Sequence, residues 1–290
     1  MSLDKNSPCK VNLLLNILGK RADGFHELET VMHPVNLCDK LGFERASGGV
    51  ELTCSDATLP TDSRNLVHRA ATAFLSAAGI REGVKIYLEK KIPLAAGLGG
   101  GSANAATTLL GLNELFGSPL TNEKLVELAA VLGSDVPFFL QNKPALGTGR
   151  GEKIDSLDFF PALRGAIFFL IHPGFGISTP WAYQNLARFP AALNGRAGRA
   201  AALASRLRGD DLIAAGAEFY NSLEAPALEK YPLLVLFQEF LRANGAAGAL
   251  MSGSGSTTFA VVSGMGRAEA LREKFLGRFG SNSWTALVPA

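Results

Sequence analysis

The feature that most constrains this chain is a glycine-rich stretch, PLAAGLGGGSANAATTLL, at residues 93–110. A strand-like segment, VKIYLE, precedes it, and the helical spacing of apolar residues resumes after it. A chain gives up side chains in this way only where its backbone bends sharply or comes close to something. The pattern therefore predicts a strand, a tight loop and a helix, in that order.

This order of elements is suited to binding an anion. Backbone N–H groups of the loop and of the first helical turn converge on one point, where the helix dipole favours negative charge. The alternative is a tight turn whose glycines only permit close packing, for which one or two glycines suffice. The chain instead has Gly97, Gly99, Gly100 and Gly101 followed by Ser102, so we favour a phosphate site.

Common phosphate-binding motifs do not match the residues of this stretch. A Walker A loop needs Lys and then Ser or Thr after its last glycine, whereas Ser102 and Ala103 follow Gly101. The dinucleotide fingerprint needs a third glycine where Ser102 stands. The sequence also lacks the catalytic-loop and metal-loop signatures of protein kinases.

Composition limits the class of protein and its partners. The 290 residues are 47% hydrophobic and 19% charged, with a net charge of +2. Apolar runs are shorter than the roughly 18 residues of a membrane span, and the charged start, MSLDKNSPCK, is unlike a secretory signal. The arginines at 196–208 lack interleaved aromatic residues, which disfavours a nucleic-acid site. Cys9, Cys38 and Cys54 fit buried free thiols, so we expect a cytoplasmic protein.

Hydrophobic periodicity predicts strands and helices in both halves of the chain. The predicted strands cover residues 10–18, 28–35, 50–54, 84–89 and 166–171, and the predicted helical stretches cover 102–116, 190–215 and 233–242. Ser63 is the expected cap of a further helix, whose apolar face would be Leu66, Ala70, Ala73, Phe74 and Ala77. Another helix is expected from Thr121 to Gly133. The polar segment LGTGRGEKIDS predicts a boundary between domains at 1–150 and 151–290.

The glycine stretch closely resembles the ATP-phosphate loop of the GHMP kinases, which are named after galactokinase, homoserine kinase, mevalonate kinase and phosphomevalonate kinase. Two more motifs of that superfamily are similar to PCKVNL at 8–13 and to MSGSGS at 251–256. The stretch PCKVNLLLNILGKRADGFHELETV at 8–31 resembles the 4-diphosphocytidyl-2-C-methyl-D-erythritol kinase family in particular. Asn65-Leu66, GSDVP at 133–137, His172-Pro173 and Thr179-Pro180 also match that family.

The resemblance implies an α+β fold of two domains, with the active site in the cleft between them. The N-terminal domain would be similar to domain 2 of ribosomal protein S5, and the C-terminal domain would be ferredoxin-like. The implied reaction is the ATP-dependent phosphorylation of the 2-hydroxyl of 4-(cytidine 5'-diphospho)-2-C-methyl-D-erythritol, in the non-mevalonate route to isoprenoid precursors. It needs ATP, Mg²⁺ and this small-molecule substrate, and we expect a monomer or a weak homodimer.

The same resemblance assigns the catalytic roles. Asp135 is implied as the acceptor of the hydroxyl proton, and its alternative role is the N-cap of a short helix. Lys10 is implied as the stabiliser of charge, and its alternative is an edge-strand lysine whose stem reaches solvent. Asn12, two residues further along the strand, would share the face of Lys10 and position the same group.

Substrate contacts are implied in the same way. Phe25 and His26 would recognise cytosine, and Tyr183 would form the opposite side of a sandwich around the base. Core packing for Phe25 and a satisfied surface position for His26 are the alternatives. The implied ATP-binding residues are Pro93, Leu94, Ala95, Ala96, Gly97, Leu98, Gly99, Gly100, Gly101, Ser102 and Ala103 in the loop, with Asn65 and Lys90 at adenine.

Some features depart from the pattern, and two rival functions stay open. Ala95 and Ala96 stand where many members of the superfamily have glycine. No glutamate can be assigned as a magnesium ligand, and Ser102 would bind either the metal or a phosphate. One rival is another GHMP kinase, of the homoserine or mevalonate type. The other rival is a nucleotide-binding or structural module without catalysis, in which Asp135 and Lys10 are ordinary cap and surface residues.

Overall fold

A computed structural model describes residues Ser2–Ala290. The chain begins with three consecutive strands, and helices and strands are mixed along the rest of it. The strands are β1 Ser2–Lys20, β2 His26–Ala46, β3 Val50–Cys54, β4 Gly83–Glu89, β5 Ala145–Thr148, β6 Lys153–Ser156, β7 Ala166–His172, β8 Tyr220–Asn221, β9 Gly248–Met251, β10 Thr258–Ser263 and β11 Trp284–Pro289. The α-helices are α1 Leu66–Ala77, α2 Gly100–Leu115, α3 Asn122–Leu132, α4 Thr179–Leu186, α5 Pro190–Leu193, α6 Arg199–Leu207, α7 Leu212–Gly216, α8 Glu224–Lys230, α9 Pro232–Ala243 and α10 Met265–Phe279.

The chain folds into two compact units that interleave along the sequence. The first unit contains residues 2–9, Leu37–Ile92 and Gly99–Asn142. The second contains Lys10–Asn36, Pro93–Leu98 and Lys143–Ala290. The long strands β1 and β2 contribute residues to both units, so a single cut in the chain does not separate them. These units are not the domains predicted at 1–150 and 151–290, whose bounds stay a prediction.

The first unit packs helices against a mixed sheet. β3 and β4 are parallel, with Val50 opposite Val84, and β4 pairs with the end of β2 in the antiparallel sense. Helices α1, α2 and α3 pack on one another. A Cβ on Gly111 of α2 would lie 2.6 Å from the ring of Phe43 on β2, so this glycine lets the helix approach the sheet closely.

The start of α1 differs from the sequence prediction. Its N-cap is Asn65 rather than Ser63, because the side chain of Asn65 accepts a hydrogen bond from the backbone N–H of Val67. The buried positions are Val67, Ala70, Ala71, Phe74 and Leu75, so only Ala70 and Phe74 of the predicted apolar face are buried.

The predictions for the next helices and for several strands agree better with the structure. Thr121 caps α3, whose C-cap is Gly133, and β3 has the predicted bounds. Helix α2 begins at Gly100, two residues before the predicted start, because glycines of the loop already have helical geometry. Strands β1 and β2 extend well beyond 10–18 and 28–35. The predicted helical stretch at 190–215 is three short helices, α5, α6 and α7.

The second unit is built on a four-stranded antiparallel sheet ordered β11-β7-β10-β9. Every residue of β7 is buried, as expected for the centre of a sheet. Helices α9 and α10 cover this sheet. In the same unit β8 pairs with β1 in parallel, and β5 pairs with both β2 and β6. No helix between Ser2 and Ala290 is both long enough and apolar enough to cross a membrane.

Phe275 of α10 is the centre of the aromatic core of the second unit, and we expect its truncation to destabilise the fold strongly. Its ring is fully buried and lies 4.9 Å from Phe237 and 4.8 Å from Phe279, measured between ring centroids. Phe275→Ala should lower the free energy of unfolding by about 3–5 kcal/mol in urea titrations. Leu236→Ala, on the exposed side of α9, is the control and should change it by less than about 1 kcal/mol. Equal losses would contradict this core.

Candidate active site

The predicted strand, loop and helix are present, with the loop between β4 and α2. Gly97 and Gly99 have φ angles of +77° and +71°, in the left-handed region that favours glycine. Gly99 is the N-cap of α2, and glycine has no side chain to occupy the first-turn N–H groups. The N-terminus of a 16-residue helix is thereby presented by backbone alone, as an anion site requires.

On the first unit's side of the loop, a buried ion pair supports the start of α2. Lys90, at the end of β4, forms a salt bridge with Asp39, and their side chains are 6% and 0% exposed. Asp39 also accepts hydrogen bonds from the backbone N–H groups of Lys91 at 2.7 Å and Ile92 at 2.9 Å. Asn104 of α2 donates to the same carboxylate at 2.9 Å. Asp39 therefore fixes the strand end to the helix.

Both residues predicted at adenine have side chains that already serve the fold. The amide of Asn65 caps α1 with its oxygen and donates through its nitrogen to the carbonyl of Pro60 at 2.8 Å. The ammonium of Lys90 pairs with Asp39 and donates to Asn104. Their roles at adenine stay a prediction.

In the second unit, the glycine segment at 252–256 packs against the first part of the loop. A Cβ on Gly97 would fall on the carbonyl oxygen of Ser252, well inside van der Waals contact, and 2.9 Å from the backbone nitrogen of Gly255. The hydroxyl of Ser252 donates to the carbonyl of Gly97 at 2.9 Å, and the N–H of Thr257 donates to that of Ala96 at 3.1 Å. Gly97 thus serves close backbone packing as well as the turn.

Lys10 and Asn12 lie together beside this junction, as their spacing on one strand predicts. They are 3% and 2% exposed, and the Lys10 ammonium donates to the side-chain oxygen of Asn12. The backbone N–H of Lys10 donates to the carbonyl of Leu98 at 3.0 Å. A Cβ on Gly253 would lie 3.4 Å from both polar groups, so the lysine is enclosed rather than extended to solvent.

Asn221 and Glu224 form hydrogen bonds with the backbone at 251–253, at the start of the 252–256 segment. The amide nitrogen of Asn221 donates to the carbonyls of Met251 and Gly253, both at 2.7 Å. Glu224 accepts from the N–H of Met251 at 2.8 Å, and burial raises the pKa of its carboxyl. No local sequence pattern pointed to either residue, because their partners at 251–253 are distant in the chain.

The predicted cytosine-binding residues surround the turn between β1 and β2. Phe25 is 50% exposed, and the guanidinium of Arg150 lies 4.6 Å from the centroid of its ring. The rings of His26 and Tyr183 lie 5.0 Å apart and are inclined by 36°. Burial and then the charge of Lys20 lower the pKa of His26, so its imidazole is neutral at physiological pH.

These contacts concern the predicted sandwich of aromatic rings around cytosine, which stays a prediction. The exposed position of Phe25 argues against simple core packing. His26 and Tyr183 already contact each other, so a base would stack on the open side of Phe25 unless these two rings separate. A neutral His26 can donate or accept a hydrogen bond at the edge of a base.

Asp135 lies in the first unit, in the turn between α3 and a short 3₁₀ helix at Pro137–Leu140. Its side chain is half-buried. The N-cap position of the 3₁₀ helix is Val136, which has helical backbone angles. Both the catalytic role of Asp135 and its alternative role as an N-cap therefore stay predictions.

Two of the cysteines show no sign of nucleophilic chemistry. Burial raises the pKa of the Cys9 thiol far above its usual range, and it raises that of Cys38 as well. A thiol is reactive mainly as the thiolate, which a raised pKa disfavours. Cys9 is buried as predicted, whereas Cys38 and Cys54 are only partly buried.

Comparison with known proteins places this site in a family. The model for the N-terminal domain of GHMP kinases matches residues 65–143, and the model for the C-terminal domain matches residues 190–282. A 4-diphosphocytidyl-2-C-methyl-D-erythritol kinase of Syntrophotalea carbinolica is 40% identical over 283 residues, which are 97% of this chain and 96% of the relative. The chain belongs to that family of GHMP kinases.

Solved structures agree with this assignment. A crystal structure of a 4-(cytidine 5'-diphospho)-2C-methyl-D-erythritol kinase is 36% identical, covers 99% of this chain and 100% of its own, and has a TM-score of 0.81. Homoserine kinase from Cytophaga hutchinsonii is 22% identical, with a TM-score of 0.76 over 100% of this chain and 94% of its own, and shows the fold alone. The protein is thus a kinase, and the predicted two-domain α+β GHMP fold is confirmed.

The junction at Gly97 can be tested by adding one methyl group. Gly97→Ala should destabilise the protein because the methyl meets the Ser252 carbonyl and the backbone must adopt a left-handed angle. Gly245→Ala is the control, since Gly245 has φ of +94° and nothing lies within 4 Å of its added Cβ. We expect the control to lose about 1–2 kcal/mol in chemical denaturation and Gly97→Ala to lose more. A loss no larger than the control's would contradict the close packing.

Proposed function

We propose that this protein transfers the γ-phosphoryl group of ATP to the 2-hydroxyl of 4-(cytidine 5'-diphospho)-2-C-methyl-D-erythritol, giving the 2-phosphate and ADP, in the non-mevalonate route to isoprenoid precursors. The observation that carries the proposal is the buried pair of Lys10 and Asn12 beside the contact of Gly97 with the 252–256 segment. The names of the relatives support the choice of acceptor.

The phosphate donor is proposed to bind through backbone groups. The glycine N-cap leaves the first-turn N–H groups of α2 available to phosphate oxygens, where the helix dipole adds to their attraction. Positioning and electrostatic stabilisation account for most of the catalysis in phosphoryl transfer. A rigid backbone loop supplies both without side-chain rearrangement.

The acceptor hydroxyl is proposed to be served by three side chains. Lys10 stabilises the negative charge that develops on the transferring group, and Asn12 positions the lysine and the hydroxyl. Asp135 orients the hydroxyl and takes its proton. A carboxylate is a weak base, so we expect the proton to move late, after much of the phosphoryl transfer has occurred.

The cytidylyl group is proposed to bind at the turn that carries Phe25 and His26. Phe25 offers an exposed aromatic face for stacking, and neutral His26 offers a hydrogen-bonding edge. Tyr183 completes the site from the side of His26. Adjacent aromatic and imidazole groups thus meet both the flat face and the polar edge of a base.

Magnesium is proposed to enter with ATP rather than to occupy a protein cage. Among residues 2–290, no three His, Cys, Asp or Glu side chains are grouped to hold a metal ion. Mg²⁺ commonly takes phosphate oxygens and water as most of its ligands, and it offsets the charge of ATP. The free thiols favour a cytoplasmic location, and we propose a monomer or weak homodimer that binds neither nucleic acid nor membrane.

The choice of acceptor separates this proposal from its rivals. Initial rates of ADP formation should be high with the cytidylyl substrate and negligible with homoserine or mevalonate, and CDP should raise the melting temperature. Activity with homoserine or mevalonate would favour another GHMP kinase. No ATP consumption with any of the three would favour a module without catalysis.

Asp135→Asn should lower kcat by about 10²–10⁴-fold, because the amide cannot accept the proton. ATP binding should persist within a few-fold, measured by calorimetry. Asp155→Asn, at an exposed position of β6, makes the same chemical change and should keep the parental kcat. A parental kcat in Asp135→Asn would contradict the proposed base.

Phe25→Ala should weaken CDP binding by about 1–3 kcal/mol, the usual range for a lost base-stacking contact, and Tyr183→Ala should weaken it as well because Tyr183 contacts His26. Calorimetric titration with CDP measures this directly. Phe159→Ala is the control, since Phe159 is a 56% exposed aromatic residue of the same unit. Unchanged affinity in both variants would contradict the proposed cytosine site.

A further inference from the structure

The hydroxyl of Thr30 on β2 connects two groups near Lys10. It donates to the backbone carbonyl of Leu14 at 2.6 Å, and it accepts from the side-chain nitrogen of Asn12 at 2.9 Å. Thr30 is 3% exposed, so water does not readily compete for these bonds. No sequence pattern pointed to Thr30.

The direction of these bonds follows from counting protons. A hydroxyl has one proton, and a carbonyl oxygen can only accept, so the Thr30 proton must point at Leu14. Only a lone pair then faces the Asn12 amide. That lone pair requires the NH₂ end of the amide, which turns the oxygen end toward the Lys10 ammonium.

The reverse orientation of the amide is unfavourable at both ends. The two ends of an asparagine amide have nearly the same shape, so sterics alone does not choose between them. A flipped Asn12 would present NH₂ to an ammonium and oxygen to a hydroxyl lone pair. Thr30 therefore acts together with the Lys10 ammonium to fix the orientation of the Asn12 amide.

We propose that Thr30 is a positioning residue for the phosphoryl transfer. By fixing the Asn12 amide it holds the Lys10 ammonium in one place, and it acts only through Asn12. This inference rests on the proposed function, in which Lys10 stabilises the charge of the transferring group.

The first test compares two substitutions at Thr30. Thr30→Val keeps the shape and removes the hydroxyl, and it should lower kcat roughly 10- to 100-fold, the effect of a buried hydrogen bond that is lost. The KM for ATP should stay within about two-fold of the parent, because the ATP loop keeps its own contacts. Thr30→Ser restores the hydroxyl and should recover most of the kcat. A parental kcat in Thr30→Val, or no rescue by serine, would overturn the inference.

Thr108→Val is the matched control for stability. Thr108 is fully buried, and its hydroxyl also donates to a backbone carbonyl, that of Asn104 at 2.7 Å. Both valine variants lose a buried hydroxyl–carbonyl bond, so we expect similar melting temperatures. Only Thr30→Val should lose kcat. Equal losses of kcat in the two variants would show a general effect of destabilisation and overturn the inference.

A double-mutant cycle tests whether Thr30 affects kcat through Asn12. If Thr30 acts through Asn12, then Thr30→Val should cost little further kcat in an Asn12→Ala background, whereas independent effects would multiply and contradict the inference. Lys10→Met distinguishes a failure of this inference from a failure of the proposed function on which it rests. A parental kcat in Lys10→Met refutes the proposed catalytic role, while an inactive Lys10→Met beside a fully active Thr30→Val refutes only the role of Thr30.

Discussion

The rest of the site depends on one close contact, in which the side-chain-free backbone of Gly97 lies against the carbonyl of Ser252. This contact joins two glycine segments more than 150 residues apart in the chain. The side chain of Asn221 donates a hydrogen bond to the carbonyl of Gly253, and the backbone N–H of Lys10 donates one to the carbonyl of Leu98 in the loop. The glycine loop thereby becomes part of a fixed arrangement of backbone groups.

Two buried lysines illustrate different solutions to the cost of burying a charge. Lys90 pairs with the Asp39 carboxylate, and this pair ties the end of β4 to α2. Lys10 instead donates to the neutral oxygen of Asn12, whose orientation Thr30 helps to fix. The Lys90–Asp39 pair supports the start of α2, whereas Lys10 and Asn12 are the pair proposed to act on the transferring phosphoryl group.

The sequence predicted the parts of this site that depend on local pattern. The strand, loop and helix follow from glycines and hydrophobic spacing, and the shared face of Lys10 and Asn12 follows from a period of two. The cap of α1 was misplaced by two residues because Ser63 and Asn65 are both good caps, and only tertiary contacts choose between them. Asp39, Thr30 and Asn221 were missed because each acts on partners distant in sequence, which no local pattern reveals.

The proposed reaction transfers the γ-phosphoryl group of ATP to one hydroxyl of a cytidylyl substrate, and following the label of γ-³²P-ATP into the separated products tests it. The label should appear in the phosphorylated cytidylyl compound, with one ADP formed for each phosphoryl group transferred. Label that appears instead as inorganic phosphate, or that stays in ATP when the cytidylyl substrate is present, would contradict this transfer.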